Sequence, residues 1–208
     1  MTRAQRINTA LRRVPSWPLY LLGAIPAVWL LAQALTGGLG PDPVKALERQ
    51  LGEIALQLLV AGLAITPVLR LTRVNLIRYR RALGLLAFIY AALHLTVWLV
   101  LDVQIPAQIW ADIVKRPYVT IGMTAFVLMI PLALTSNAWS IRKLGPAWRR
   151  LHKLTYAVAL MGGVHYLMLV KGWQIEPMLY LAGIAALLLM RLRVSAALGA
   201  TAARARSV

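Results

Sequence analysis

Apolar residues run in long blocks that short polar stretches interrupt, and this pattern predicts six membrane helices. They are Ser16–Thr36, Gly52–Leu69, Ala82–Leu101, Tyr118–Ser136, Leu151–Val170 and Trp173–Leu192. Each lies near the ~20 residues that a helix needs to cross a hydrocarbon core about 30 Å thick. The sixth is the shortest in apolar content, because Glu176 and Pro177 stand near its start. Trp17, Trp98, Trp110, Trp139, Trp148 and Trp173 gather near span ends, where amphipathic rings anchor a protein at the interface. The expected architecture is all-α: a polytopic bundle over 16–192, a short N-terminal segment 1–15 and a tail 193–208. No internal repeat, glycine-rich phosphate loop or soluble domain interrupts this plan.

Charge gives the bundle a direction. Net charge is +17, yet 18 of the 23 Lys and Arg fall in the termini and alternate loops on one side of the predicted spans. All six acids, Asp42, Glu48, Glu53, Asp102, Asp112 and Glu176, fall on the other. The positive-inside rule then predicts both termini in the cytoplasm, and the basic excess reads as topology rather than as a nucleic-acid face. Arg3, Arg6, Arg12 and Arg13 precede a first run long enough to span, so no cleaved signal peptide is expected. There is no cysteine, which excludes disulfides, thiolate-held clusters and covalently attached haem.

Three histidines carry the chemistry. Ionisable groups within a span are costly and usually face the bundle interior on a functional path. His94 lies 12 residues into the third span, roughly 18 Å deep, and His165 lies 14 residues into the fifth, roughly 21 Å deep, at 1.5 Å per residue. Their depths match, so one porphyrin between the two helices could take an imidazole on each iron face; the alternative is a pair of interhelical hydrogen bonds. Gly162 and Gly163 precede His165 and admit either close approach of a macrocycle or close helix packing. His152 stands at the cytoplasmic boundary, about 220° around the helix from His165. Arg80 stands at a matching depth, nearly on one stripe with His94. Arginine is a poor iron ligand and a good partner for carboxylate or phosphate, so a second site there would be built on anion recognition as readily as on ligation. Met161 and Met168 read as packing, Arg78, Arg80 and Arg81 as topology determinants, and Asp42 as turn chemistry.

The segments GPDPVKALERQLG, RYRRALGLLAFIYAALHL, IVKRPYVTIGM, PLALTSNAWSIRKLGPAWRRLHKLTY and HYLMLVKG, followed by EPMLY, resemble the MsrQ (YedZ) family. The resemblance runs in order from about Gly40 to Tyr180. These are haem-binding membrane subunits of bacterial methionine sulfoxide reductase systems, related to ferric reductase and NADPH oxidase transmembrane domains. The resemblance implies an inner-membrane b-type cytochrome. It would carry electrons from the quinone pool, or from a cytosolic flavin reductase, to the periplasmic molybdopterin enzyme MsrP, which repairs oxidised methionine in proteins. It also implies that His94 is the third-helix haem histidine and that His152 and His165 are the two fifth-helix ones. Arg80 stands where the wider group has another histidine, which leaves one complete bis-histidine site. FMN is associated with the family, but no FMN motif is legible here. No substrate pocket is legible either, so the expected role is electron relay rather than catalysis. Two other readings remain open from sequence: a non-redox transporter or scaffold with structural histidines, and a metal-ion reductase acting without a protein partner.

Overall fold

A computed structural model describes residues 1–170, 172 and 174–204, with side chains described as far as Arg191. Lys171 and Trp173, the latter read above as a span-end tryptophan and the start of the sixth span, lie outside the described residues, as do 205–208. Ten helices are described: α1 (Arg3–Arg13), α2 (Pro18–Leu35), α3 (Pro43–Thr72), α4 (Arg80–Val97), α5 (Pro106–Lys115), α6 (Pro117–Leu134), α7 (Ala138–Leu144), α8 (Pro146–Leu151), α9 (Leu154–Leu169) and α10 (Ile175–Arg204). No strand occurs among the described residues. A 3-10 turn, Ile77–Tyr79, leads into α4, and a π-helical turn, Trp98–Val103, continues it.

Four segments are long and apolar enough to cross a membrane: Pro18–Leu35, Pro43–Thr72, Ile77–Val103 and Pro117–Leu134. Helix α9 has 16 residues, about 24 Å of rise, because the chain turns at His152 and Lys153 before α9 starts. The described part of α10 runs through the expected boundary at Leu192 to Arg204. The second span begins nine residues before the expected Gly52. Asp42 caps α3 by accepting from the Lys45 amide (3.2 Å), and Pro43 occupies the first turn, so the stretch read as a loop is helix. This extension places Glu48 and Arg49 on α3 itself.

Helix α3 is the hub. Leu51 and Ala55 pack with Leu30, Tyr90 and Val97 of α2 and α4, and Leu56 and Leu63 pack with Ala159, Tyr166 and Ile184 of α9 and α10. Leu59 packs with Ala87, Met129 and Val158 of α4, α6 and α9. The outward faces are apolar as well. On α2 only Leu30 is buried, while Leu21, Leu22, Ile25, Val28 and Trp29 are exposed, the inside-out pattern of a helix meant for lipid. Pro26 interrupts α2, and one side chain repairs the break. Tyr90 Oη donates to the Gly23 carbonyl (2.6 Å) and accepts from the Ala27 amide (3.1 Å), bridging the groups that would otherwise meet within the helix. A Cβ at Gly23 would lie 2.6 Å from Leu86, so the glycine lets α2 approach α4 closely enough for this bridge.

Candidate functional site

Helices α4 and α9 bring His94 and His165 face to face inside the bundle. Their ring centroids are 6.3 Å apart and the ring planes cross at 81°. Both rings are oriented by a backbone carbonyl: His94 Nδ1 lies 2.8 Å from the Glu48 oxygen on α3, and His165 Nδ1 lies 2.7 Å from the Tyr118 oxygen on α6. A carbonyl only accepts, so each Nδ1 carries the proton and each Nε2 is left as a bare lone pair, the state required of a metal ligand. The ring centre of an imidazole lies about 1.1 Å from its nitrogen, and a metal–imidazole bond is about 2 Å. A bis-imidazole metal therefore needs centroids about 6 Å apart, as found.

Two glycines make room for these rings. A Cβ at Gly52 would stand 2.9 Å from His94 Nδ1, and a Cβ at Gly122 would stand 2.8 Å from His165 Nδ1. Each glycine is four residues beyond the carbonyl that receives the same histidine, one helical turn along α3 or α6. The sequence pointed instead to Gly162 and Gly163. Gly163 serves packing, since its Cβ would press on Ile184 and Leu181 of α10 at 3.0 and 3.2 Å; Gly162 lines the cavity beside Leu56. The sequence signal that would have found Gly52 and Gly122 is small: each is a lone glycine near the outer end of its run.

The histidine pair lines a cavity of about 160 Å³ whose walls include Ala91, Phe126 and Met129 and whose lining also carries Glu48, Arg49 and Glu53. Arg49 is the single Lys or Arg among its described lining residues. Tyr166 Oη is buried there with Arg49 within reach but short of a well-aligned hydrogen bond. Trp98, read above as an interfacial anchor, is buried in this wall, because the π-helical turn keeps it on the bundle side. Trp17, Trp110 and Trp139 are exposed as anchors should be. Met161 and Met168 line neither this cavity nor the next.

A second cavity, about 540 Å³, lies toward the basic side. Arg80, Arg81, Arg149, Lys153 and Arg191 line it together with His152, and no carboxylate is among its described lining residues. Arg80 donates to Thr66 Oγ1; Arg191 donates to the Leu63 carbonyl and to Tyr156 Oη. His152 stacks on Trp148 (centroids 3.9 Å apart) and meets Thr135 Oγ1 through Nε2 at 3.0 Å. Thr135 has one proton and directs it to the Pro131 carbonyl (2.6 Å), so His152 Nε2 must be the donor. Its tautomer is opposite to that of the other two histidines, and its Nε2 is engaged. Burial holds the His152 imidazole below its ordinary pKa, which keeps it neutral.

The two cavities share a thin partition. Leu59, Met129 and Val158 line both, and Phe126 of the histidine-pair cavity stacks on Phe88 of the second with centroids 5.6 Å apart. These are the only two phenylalanines in the chain.

Comparison with known proteins follows the same lines. Residues 50–163 match the family described as ferric reductase like transmembrane component, a stretch holding His94, His152 and Arg80 and ending just before His165. The chain is 54% identical over 177 residues to proteins of Brucella ovis, Brucella canis and Brucella suis, covering 85% of this chain and 80% of each relative. Each of these is named protein-methionine-sulfoxide reductase heme-binding subunit MsrQ. No solved structure matches the chain. The crossed histidine pair and these similarities cover the same helices, and the chain belongs to the MsrQ family within the ferric reductase-like transmembrane proteins.

Proposed function

We propose that this chain is a b-type cytochrome of the bacterial inner membrane that relays electrons outward to a periplasmic molybdopterin methionine sulfoxide reductase of the MsrP kind. The observation that carries the reading is the His94–His165 pair, at bis-imidazole spacing with both Nδ1 protons already committed. A structural pair of histidines has no need of this arrangement. Two rings that only tied helices together would gain by using both nitrogens, whereas here both Nε2 lone pairs are withheld from the protein. That favours a redox subunit over a transporter or scaffold.

The residues present fit a haem. His94 and His165 would hold its iron through their Nε2 nitrogens, and Gly52 and Gly122 give the two rings the room to stand where they do. Arg49, Glu48, Glu53 and the Tyr166 hydroxyl give the otherwise largely apolar cavity its polar lining, with Arg49 the one cation there, among the described residues, for a carboxylate. When bound, haem supplies one-electron chemistry. The helices fix the imidazoles and exclude water, and the thin Phe88–Phe126 partition leaves a short apolar path from the inner cavity. Arg80 and His152 belong to that inner cavity. Its cationic lining suits an anionic donor group, whether the carboxylates of a second haem, a flavin phosphate such as that of FMN, or the polar head of a reduced quinone. The engaged Nε2 of His152 supports anion and hydrogen-bond recognition there over iron ligation. Electrons would enter from the quinone pool or a cytosolic flavin reductase and leave through the acidic outer face.

The same reading has six crossings, with α9 and α10 completing the set, and both termini in the cytoplasm. The test is optical. Protein purified with haem available should show a Soret band and a low-spin six-coordinate spectrum, and acidified organic solvent should extract the pigment. A colourless protein would refute the electron-transfer reading and restore the transporter or scaffold alternative. Reoxidation of the reduced protein by free ferric chelates, but not by the reductase with methionine sulfoxide, would favour the metal-ion reductase reading.

A further inference from the structure

Helix α1 occupies the stretch expected to be a short N-terminal segment. It contains Arg3, Arg6, Arg12 and Arg13, no acid and no buried residue. At 100° per residue, Ile7 and Ala10 fall about 60° apart with the Arg3 backbone between them, and with the C-cap residue Val14 just past the helix they form a short apolar stripe. All three are exposed, Ile7 at 45% and Val14 at 48%. Arg6 and Arg13 flank the stripe on one side; Ala4, Asn8 and Leu11, on the other, are half-buried against the protein. Only Val14–Trp17 separate α1 from Pro18, where a span starts, and Trp17 is 61% exposed as an interfacial ring would be. The stripe is thus tethered within a few residues of a segment long and apolar enough to cross a membrane.

Helix α1 is also bolted to the α3–α4 connection. The Asn8 side chain donates to the Arg73 carbonyl (2.9 Å) and accepts from the Asn75 amide (2.8 Å). Arg78 donates to the Leu11 and Arg12 carbonyls (both 3.0 Å), satisfying the C-terminal end of α1, and Tyr79 Oη reaches the Leu11 and Val14 carbonyls. Arg73 sits in the left-handed region (φ 61°), which turns the chain into this contact. The clamped connection delivers Ile77, Arg80 and Arg81 to the wall of the inner cavity.

We propose that α1 is an in-plane helix that binds the anionic headgroups of the adjoining leaflet and passes that contact, through Asn8 and Arg78, to the connection that shapes the inner cavity. The occupant is anionic lipid, because the exposed apolar stripe carries Arg3, is bordered by Arg6 and Arg13, and has no acid on its helix. The lipid contact itself does not depend on the haem reading; only its effect on the inner cavity does.

The chain has no cysteine, so Ile7→Cys in the full-length protein takes a single environment-sensitive label. The protein is placed in nanodiscs of phosphatidylglycerol with phosphatidylcholine, or of phosphatidylcholine alone, with a lipid-borne quencher. Quenching should be strong in anionic discs, weak in zwitterionic discs, and weaker at high salt. Arg6→Gln and Arg13→Gln should each lower the partition about fivefold. Hydrogen exchange of the unmodified chain at 73–79 should slow in anionic discs relative to zwitterionic ones, which needs no variant. An unquenched label in anionic discs, or equal quenching in both lipids, overturns the lipid contact. Exchange at 73–79 that ignores lipid charge while the label is quenched overturns the transmission. Loss of the Soret band with normal quenching would instead count against the haem reading alone.

Discussion

Gly122→Ala tests the site most sharply, because it leaves every ligand in place. The added Cβ would lie 2.8 Å from His165 Nδ1 and 2.9 Å from Cε1. An ordinary contact of about 3.5 Å requires the ring, or α6, to retreat by about 0.7 Å. The Nδ1···Tyr118 oxygen distance is 2.7 Å. A retreat of that size carries it past the about 3.2 Å limit of a good hydrogen bond and turns the ring away from its partner. Overpacking of this kind costs about 1–3 kcal/mol. Loss of the carbonyl that fixes a ligating histidine typically costs about 10–100-fold in metal affinity. Haem affinity should therefore fall about 10–100-fold, with the low-spin spectrum broadened or shifted, and Gly52→Ala should do the same through His94. The assay is haem per protein after purification and titration of haem into the apoprotein. Gly183→Ala is the control: no atom lies within 4 Å of its added Cβ, and it lines neither cavity. Full haem content with an unchanged spectrum in Gly122→Ala would refute the claim that the two glycines hold the imidazoles in register.

His94→Ala and His165→Ala should each cost more than about 100-fold in haem affinity, whereas His152→Ala should leave the outer haem; equal loss in all three would mean the pairing is wrong. Tyr90→Phe removes both bridges at the Pro26 break and should destabilise the bundle by about 1–3 kcal/mol, read as a lower Tm with an unchanged haem spectrum. His152 is held neutral by burial, with its folded-state pKa below the unfolded value near 6.5. Its contribution is therefore present above that value and lost as pH falls through the folded pKa, so Tm in detergent should drop on acidification below about pH 6.5, and less so in His152→Gln. Arg80→Ala should slow reduction from the inner side more than it slows reoxidation by the periplasmic reductase with methionine sulfoxide; stopped-flow absorbance showing the reverse would place Arg80 on the exit path.

The sequence by itself determined what local composition can determine. Apolar runs of spanning length located the four helices that are long and apolar enough to cross a membrane, because lipid demands that each span satisfy its own backbone. Helix rise placed His94 and His165 at equal depth, and the structure brings their rings within 6.3 Å. Other elements escaped because their signals were weak or overridden. α1 and α5 lie outside the apolar runs, and the start of α3 was hidden under a Pro-rich turn pattern that proved to be a cap. Trp98 looked like an anchor until a π-helical turn kept it inside. What only the tertiary structure decided is the chemistry of the histidines. The carbonyls of Glu48 and Tyr118 stand 46 and 47 residues away in sequence from the rings they orient, and Thr135 sets the opposite tautomer on His152. Helical periodicity fixes which residues share a face and how deep they lie. Which nitrogen carries the proton depends on what the neighbouring helix presents, and that is settled only when the helices pack.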